Sequence, residues 1–185
     1  MQFKDYSRVK NIHAFLGASN YHWINYDDNK LMHTYNNWKA AQRGSEIHEF
    51  AETCIKLGQK LPKSDRTLNR YVNDAIGYRM TPEQMLFYSE NCFGTADTIS
   101  FKKNLLRIHD LKTGAFPAKM EQLLVYSALF CLDYDIRPGD IDYELRIYQN
   151  DDVNILKPEV DDVNMIKQKI VHFDKILKEM QEKEK

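Results

Sequence analysis

Residues 94–110 can fold back on themselves in few ways. Two apolar runs, 94–101 and 105–110, flank a polar break of Lys102, Lys103 and Asn104, and this pattern predicts a β-hairpin. Centring the turn between Lys103 and Asn104 sets Asp97 opposite Asp110 on one face of the sheet. Residues opposed in this way hold their Cβ atoms about 4.5–5.5 Å apart. Two ionised carboxylates at that distance repel each other unless a cation lies between them. Lys112, two residues beyond Asp110, returns to the same face because strand side chains alternate. Two acids and a lysine on one sheet face suit a hydrolytic metal site.

The surrounding pattern supplies the rest of an α/β fold. Ser45 reads as the N-cap of a helix with Glu46 and Glu49 in its first turn and Ile47, Phe50, Ala51, Cys54 and Leu57 on one stripe. Gly58 is its natural stop. A second helix is predicted over 64–78, then strands over 85–90, 94–101 and 105–111. A helix follows from Pro117 to about Cys131, with strands at 142–149 and 153–156 and a long helix over 159–182. This order predicts one domain over 1–185: an aromatic N-terminal extension (1–43), a core (44–150) and a C-terminal helix. The expected architecture is a mixed α/β sandwich with the acids at the centre of its sheet. The aromatics Tyr21, Trp23, Tyr26 and Trp38 suit packing, with stacking on unpaired bases as the alternative.

Composition narrows the function classes. A net charge of −1 gives no global basic field, so contact with nucleic acid would need a local patch or metal ions. Lys102, Lys103 and Arg107 form one such candidate patch for DNA, and Arg66, Arg70 and Arg79 another. The 3 cysteines are widely spaced and read as reduced thiols. With no membrane-length apolar run or cleavable leader, the expectation is a soluble cytoplasmic protein of a bacterium or a phage-infected cell.

Gly94-Thr95-Ala96-Asp97 followed by Leu106-Arg107-Ile108-His109-Asp110-Leu111-Lys112-Thr113-Gly114 resembles the PD-(D/E)XK nuclease superfamily, in particular the RecB-type nuclease domain and its phage exonuclease relatives. Gly44-Ser45-Glu46-Ile47-His48 resembles the family's histidine-bearing helix, and Gln122 with Tyr126 its Gln-x-x-x-Tyr helix. The resemblance implies a restriction-endonuclease-like αβββαβ core and Mg²⁺- or Mn²⁺-dependent hydrolysis of DNA. It implies metal ligands at His48, Asp97, Asp110 and the Leu111 carbonyl, with Glu49 as a weaker candidate. Asp97, Asp110, Lys112, Gln122 and Tyr126 are the implied catalytic group. The four-cysteine set of iron–sulfur members is absent, so no cluster is implied. An exonuclease processing linear DNA ends, single- or double-stranded, in phage or mobile-element recombination or repair is the expected activity. A homo-oligomer and a recombination partner protein are compatible with it. The alternatives are a structure-specific endonuclease and a catalytically silent subunit that binds DNA or protein. Taken one at a time, the residues also allow plainer roles: solvated acids on an exposed hairpin, a surface lysine, a histidine satisfied by a carbonyl, and rim residues of an amphipathic helix.

Overall fold

The computed structural model describes Asp5, residues 7–10 and residues 13–184. The chain divides into two compact units, Met1–Arg43 and Gly44–Lys185. In the first, a 3-10 segment at Ala18–Asn25 is pinned by the Trp23 indole N–H, which donates to the Gly17 carbonyl (3.1 Å). Phe15, Tyr35 and Trp38 gather their rings at centroid separations of 5.1–5.7 Å. The tryptophan at 38 is therefore used in packing.

Helix α1 spans Asp28–Leu57. It does not begin at Ser45 as the sequence suggested. Asp27 supplies the cap instead, its carboxylate accepting the Lys30 N–H at 2.7 Å. The run Lys39-Ala40-Ala41-Gln42-Arg43 consists of strong helix formers and carries the helix through Ser45. The stop at Gly58 is as expected. This glycine takes φ +66°, and the Gln59 N–H closes back onto the Cys54 carbonyl (2.9 Å).

The second unit is built on a five-stranded sheet of order β1-β2-β3-β4-β5. The strands are β1 (Thr81–Ser89), β2 (Cys92–Lys102), β3 (Leu105–Leu111), β4 (Asp142–Gln149) and β5 (Asp152–Leu156). Helix α2 (Thr67–Gly77) precedes them, α3 (Glu121–Asp133) links β3 to β4, and α4 (Val160–Lys183) closes the chain. Only the β3–β4 pairing is parallel, so the sheet is mixed. Lys103 and Asn104 turn the β2–β3 hairpin with φ of 51° and 60°, and Asn150 and Asp151 turn β4–β5 with φ of 53° and 59°. Positive φ at both central residues matches the right-handed strand twist, and Asn and Asp tolerate it at low cost. Helix α3 starts at Glu121, later than Pro117 suggested, and the Ala118 N–H before it donates to the Gln149 side chain (2.9 Å).

Helices cover both faces of the sheet. Leu123, Leu129 and Phe130 of α3 and Val163 of α4 pack on Leu86, Ile99, Leu106, Ile108 and Leu145. On the other face Ala51, Cys54 and Ile55 of α1 join Tyr71, Val72 and Ala75 of α2 over Leu111 and Tyr148. Each fully buried Leu or Ile contributes about 1.5–3 kcal/mol of apolar transfer. Among the described residues no helix is long and apolar enough to cross a membrane.

Candidate active site

Asp97 and Asp110 are not ladder partners, although the hairpin has the register that the sequence suggested. The β2–β3 pairing runs from Lys102↔Leu105 to Thr98↔His109 and stops one position short of the two acids. There the strands part, and the Asp97 carboxylate takes the next backbone donor for itself, accepting the Leu111 N–H at 2.8 Å. Leu111 thus engages Asp97 through its backbone N–H.

Asp110 lies beneath, 1% exposed. The Lys112 ammonium donates to its Oδ1 (3.0 Å) and lies 2.9 Å from Oδ2, which is buried without a hydrogen bond of its own. The same ammonium donates to the Gln122 side-chain oxygen at 2.9 Å, and the Gln122 amide donates to the Tyr126 hydroxyl at 3.1 Å. Gln122 and Tyr126 lie one helical turn apart on α3, and they form one polar chain with Lys112 and Asp110. Gly94 makes room for it, because a Cβ there would stand 3.0 Å from the Tyr126 ring.

His48 enters from α1 and places Nδ1 3.4 Å from Asp97 Oδ2. One turn earlier, Gly44 is buried against Thr113, where an added Cβ would come within 2.8 Å of the threonine hydroxyl. The Gly-x-x-x-His spacing thus puts a close contact point and an imidazole on one helix face. Glu49 is exposed and outside the cluster. The carboxylate that joins His48 and Asp97 is Glu83, the donor atoms of all three lying within 4.8 Å of one another.

Glu83 was not legible from sequence. It sits in β1 at φ +50°, where a glutamate is strained, and the β1–β2 register skips it between Pro82↔Thr98 and Gln84↔Ala96. At this irregularity its side chain comes to Asp97 and His48. Strain kept at such a point is a common mark of a functional site. Replacing it by glycine should relieve that strain and stabilise the protein by about 0.5–1 kcal/mol. The same Glu83→Gly protein should bind Mn²⁺ more weakly by calorimetry. Unchanged Mn²⁺ affinity would remove Glu83 from the site.

Burial raises the Asp97 carboxyl above the ordinary range, opposed by the Leu111 N–H and the nearby His48 and Lys112. Asp110 is pushed up to about 6 by burial and then by the Asp97 charge, with Lys112 pulling the other way. Burial also raises Glu83, with Glu52 adding to the effect. The Tyr71 phenol, 2% exposed, is raised by burial and by the fields of Asp97 and Asp110. Tyr71 was another neighbour missed, since its place on α2 reads simply as an apolar stripe.

The expected DNA contacts lie elsewhere. Lys102 and Lys103 are at the hairpin turn, about 17–20 Å along the chain from Asp97 at 3.3 Å per residue. Lys102 donates to the Tyr78 and Arg79 carbonyls. Arg107 is tied to Glu144 at 3.0 Å and stacks on Tyr78. Arg66 pairs with the Asp151 carboxylate and Arg70 donates to the Asp151 carbonyl. His109 points away from the acids into a buried network with Tyr148, which follows the alternation read from the sequence.

The fold and site define an α/β protein with a mixed five-stranded sheet, carrying a cluster of carboxylates, a histidine and a lysine where β2 and β3 part. Comparison with models of protein families, with curated proteins and with solved structures returned no match.

Proposed function

We propose that this chain is a metal-dependent deoxyribonuclease, with α1, β1–β3, α3 and β4 forming a restriction-endonuclease-like αβββαβ core. The observation that carries the reading is the Lys112 ammonium. It is held between Asp110 and Gln122 beside the His48, Glu83 and Asp97 donors. A buried carboxylate is costly to keep charged, and Asp110 has the Lys112 ammonium beside it while its Oδ2 makes no hydrogen bond of its own. A hard divalent cation with carboxylate and imidazole donors suits that set, with the histidine favouring Mn²⁺ over Mg²⁺. Bound there by Asp97, Asp110, Glu83 and His48, Mg²⁺ or Mn²⁺ would supply charge neutralisation at a phosphate and a more acidic water.

The chain's own residues do the rest. Asp110 and Gln122 fix the Lys112 ammonium from two sides, so it meets a phosphate oxygen with little loss of freedom. Tyr126 orients Gln122 in turn. Attack on linear DNA from its ends is the preferred mode, in keeping with the family resemblance.

The test is digestion of end-labelled linear duplex, linear single strand and closed circular DNA with Mg²⁺, Mn²⁺ or EDTA. Metal-dependent loss of linear DNA is expected, and Lys112→Ala should lower it by about 10²–10³-fold while metal affinity is retained. Nicked circles would make the activity endonucleolytic. DNA bound but uncut with every metal would make this a binding subunit and end the enzymatic reading.

A further inference from the structure

The loop between Lys112 and α3 ends in the candidate site on both sides, at Lys112 and at Gln122. At its middle, Phe116 is 90% exposed. A phenylalanine displayed to water is costly unless something covers it in use. This loop is also held rigid. The Gln149 side chain donates to the Gly114 carbonyl (2.6 Å) and the Phe116 carbonyl (2.8 Å), and accepts the Ala118 N–H (2.9 Å). Asn150 donates to the Ala115 carbonyl at 3.5 Å. Pro117 further restricts Phe116 to extended backbone. Gln149 is the last residue of β4, next to Tyr148, whose carbonyl accepts the Lys112 N–H at 2.9 Å. The clamp therefore registers the loop to the strand end that positions Lys112. At most four residue lengths, about 14 Å, separate the two Cα atoms.

We propose that Phe116 is a stacking platform for an unpaired nucleobase, seating a single-stranded nucleic-acid end at the acid cluster. The inference rests on the nuclease reading for what is cut, but not for what is bound. In a duplex the base faces are covered by their neighbours, and only an unpaired or terminal base offers a free face to an aromatic ring. Exposed Lys119, with no ion-pair partner among the described residues, lies three positions on and can take the adjoining phosphate. Binding at this loop selects single strands and frayed ends over closed duplex.

The experiment uses the full chain in EDTA, so that nothing is cut, with a single-stranded oligonucleotide carrying terminal 2-aminopurine and a blunt duplex of the same sequence. Wild type should quench the single-strand probe. Phe116→Ala should lose the quench and raise the Kd for single strand about tenfold, within the range of one base stacked on one ring, leaving duplex affinity unchanged. Phe116→Trp should restore both. Equal single-strand affinity in Phe116→Ala and wild type overturns the proposal, as does an equal loss on both probes. A Phe116→Ala change in self-association or protein capture with oligonucleotide affinity intact overturns it too and makes the loop a protein contact. Stacking without metal-dependent cleavage would leave this inference standing while the enzymatic reading fails. Cleavage without stacking would do the reverse.

Discussion

Asp110→Asn should yield a protein that is more stable without metal than the wild type, and inert. Asp110 is buried and its carboxyl is raised to about 6 by burial first and Asp97 second. Holding it ionised at pH 7 costs on the order of 3 kcal/mol relative to an unfolded value near 3.9. Asparagine keeps the shape and an oxygen to accept from Lys112, so a net gain of about 1–2 kcal/mol is expected once the weaker Lys112 contact is counted. The pH dependence has a definite sign. Between about pH 4 and 6 the folded wild type binds the extra proton, so the Asp110 penalty grows as pH rises through that window. The gap between variant and wild type should be widest at pH 7 and close near pH 4. His109 acts in the opposite direction. Its imidazole is lowered to about 3 by burial and by Arg146 and Arg107, so stability falls as acid forces it to charge on unfolding. With the Asp110 contribution removed, the variant should be the more acid-sensitive protein. Thermal melts from pH 4 to 7, with and without Mn²⁺, check all of this. Wild type should gain with Mn²⁺ and the variant should not. A variant less stable than wild type at pH 7 in EDTA would contradict the account.

Arg146→Ala should be among the most destabilising single changes in the chain. Its guanidinium donates to Asp74 (3.2 Å) and to the Tyr78 hydroxyl (2.9 Å), lies 3.0 Å from Glu144, and stacks on the Tyr78 ring. The Tyr148 hydroxyl also donates to Asp74, at 2.7 Å, and touches His109 Nδ1. Removing the arginine strands Glu144, whose side chain is 13% exposed, with Arg107 alone, and unties Asp74. Breaking a buried ion pair from one side costs about 3–5 kcal/mol. Arg137→Ala is the control, because its partner Asp140 and the arginine are both open to water at 52% and 84% exposure. It should shift stability by less than about 1 kcal/mol. Urea titration of the two variants separates the cases, and a similar small loss in both would show that the network adds little.

How far the sequence revealed this molecule depends on the distance over which each choice is made. The β2–β3 hairpin was legible to its register, because two turn residues and flanking alternation decide it locally. Gly58 was legible for the same reason. The start of α1 was misread at Ser45, a good capping residue that yields to the helix formers before it and to Asp27. The places of Asp97 and Asp110 at the end of the hairpin ladder were legible, but not the parting of the strands at them, since nothing local says that a side chain will replace a ladder bond. Glu83 was out of reach. Its role depends on a positive φ that no propensity assigns to glutamate and on a helix far away in the chain. For the basic residues the sequence shows charge but not partners, and Arg107 and Arg66 turn out to pair with Glu144 and Asp151.

Asp151, in the turn between β4 and β5, accepts the Thr67 N–H at 2.8 Å, 84 positions away in the chain, and its own N–H is taken by the Thr67 hydroxyl at 2.6 Å. The first turn of α2 therefore borrows its terminus from a segment synthesised long after it. While the chain is being made, this helix has its residues but not its cap. It can settle on the sheet and fray at the start until β4 and β5 arrive. Only then does the last hairpin lock a helix begun in the first half of the protein, so a chain cut short before residue 151 should leave that end unfinished.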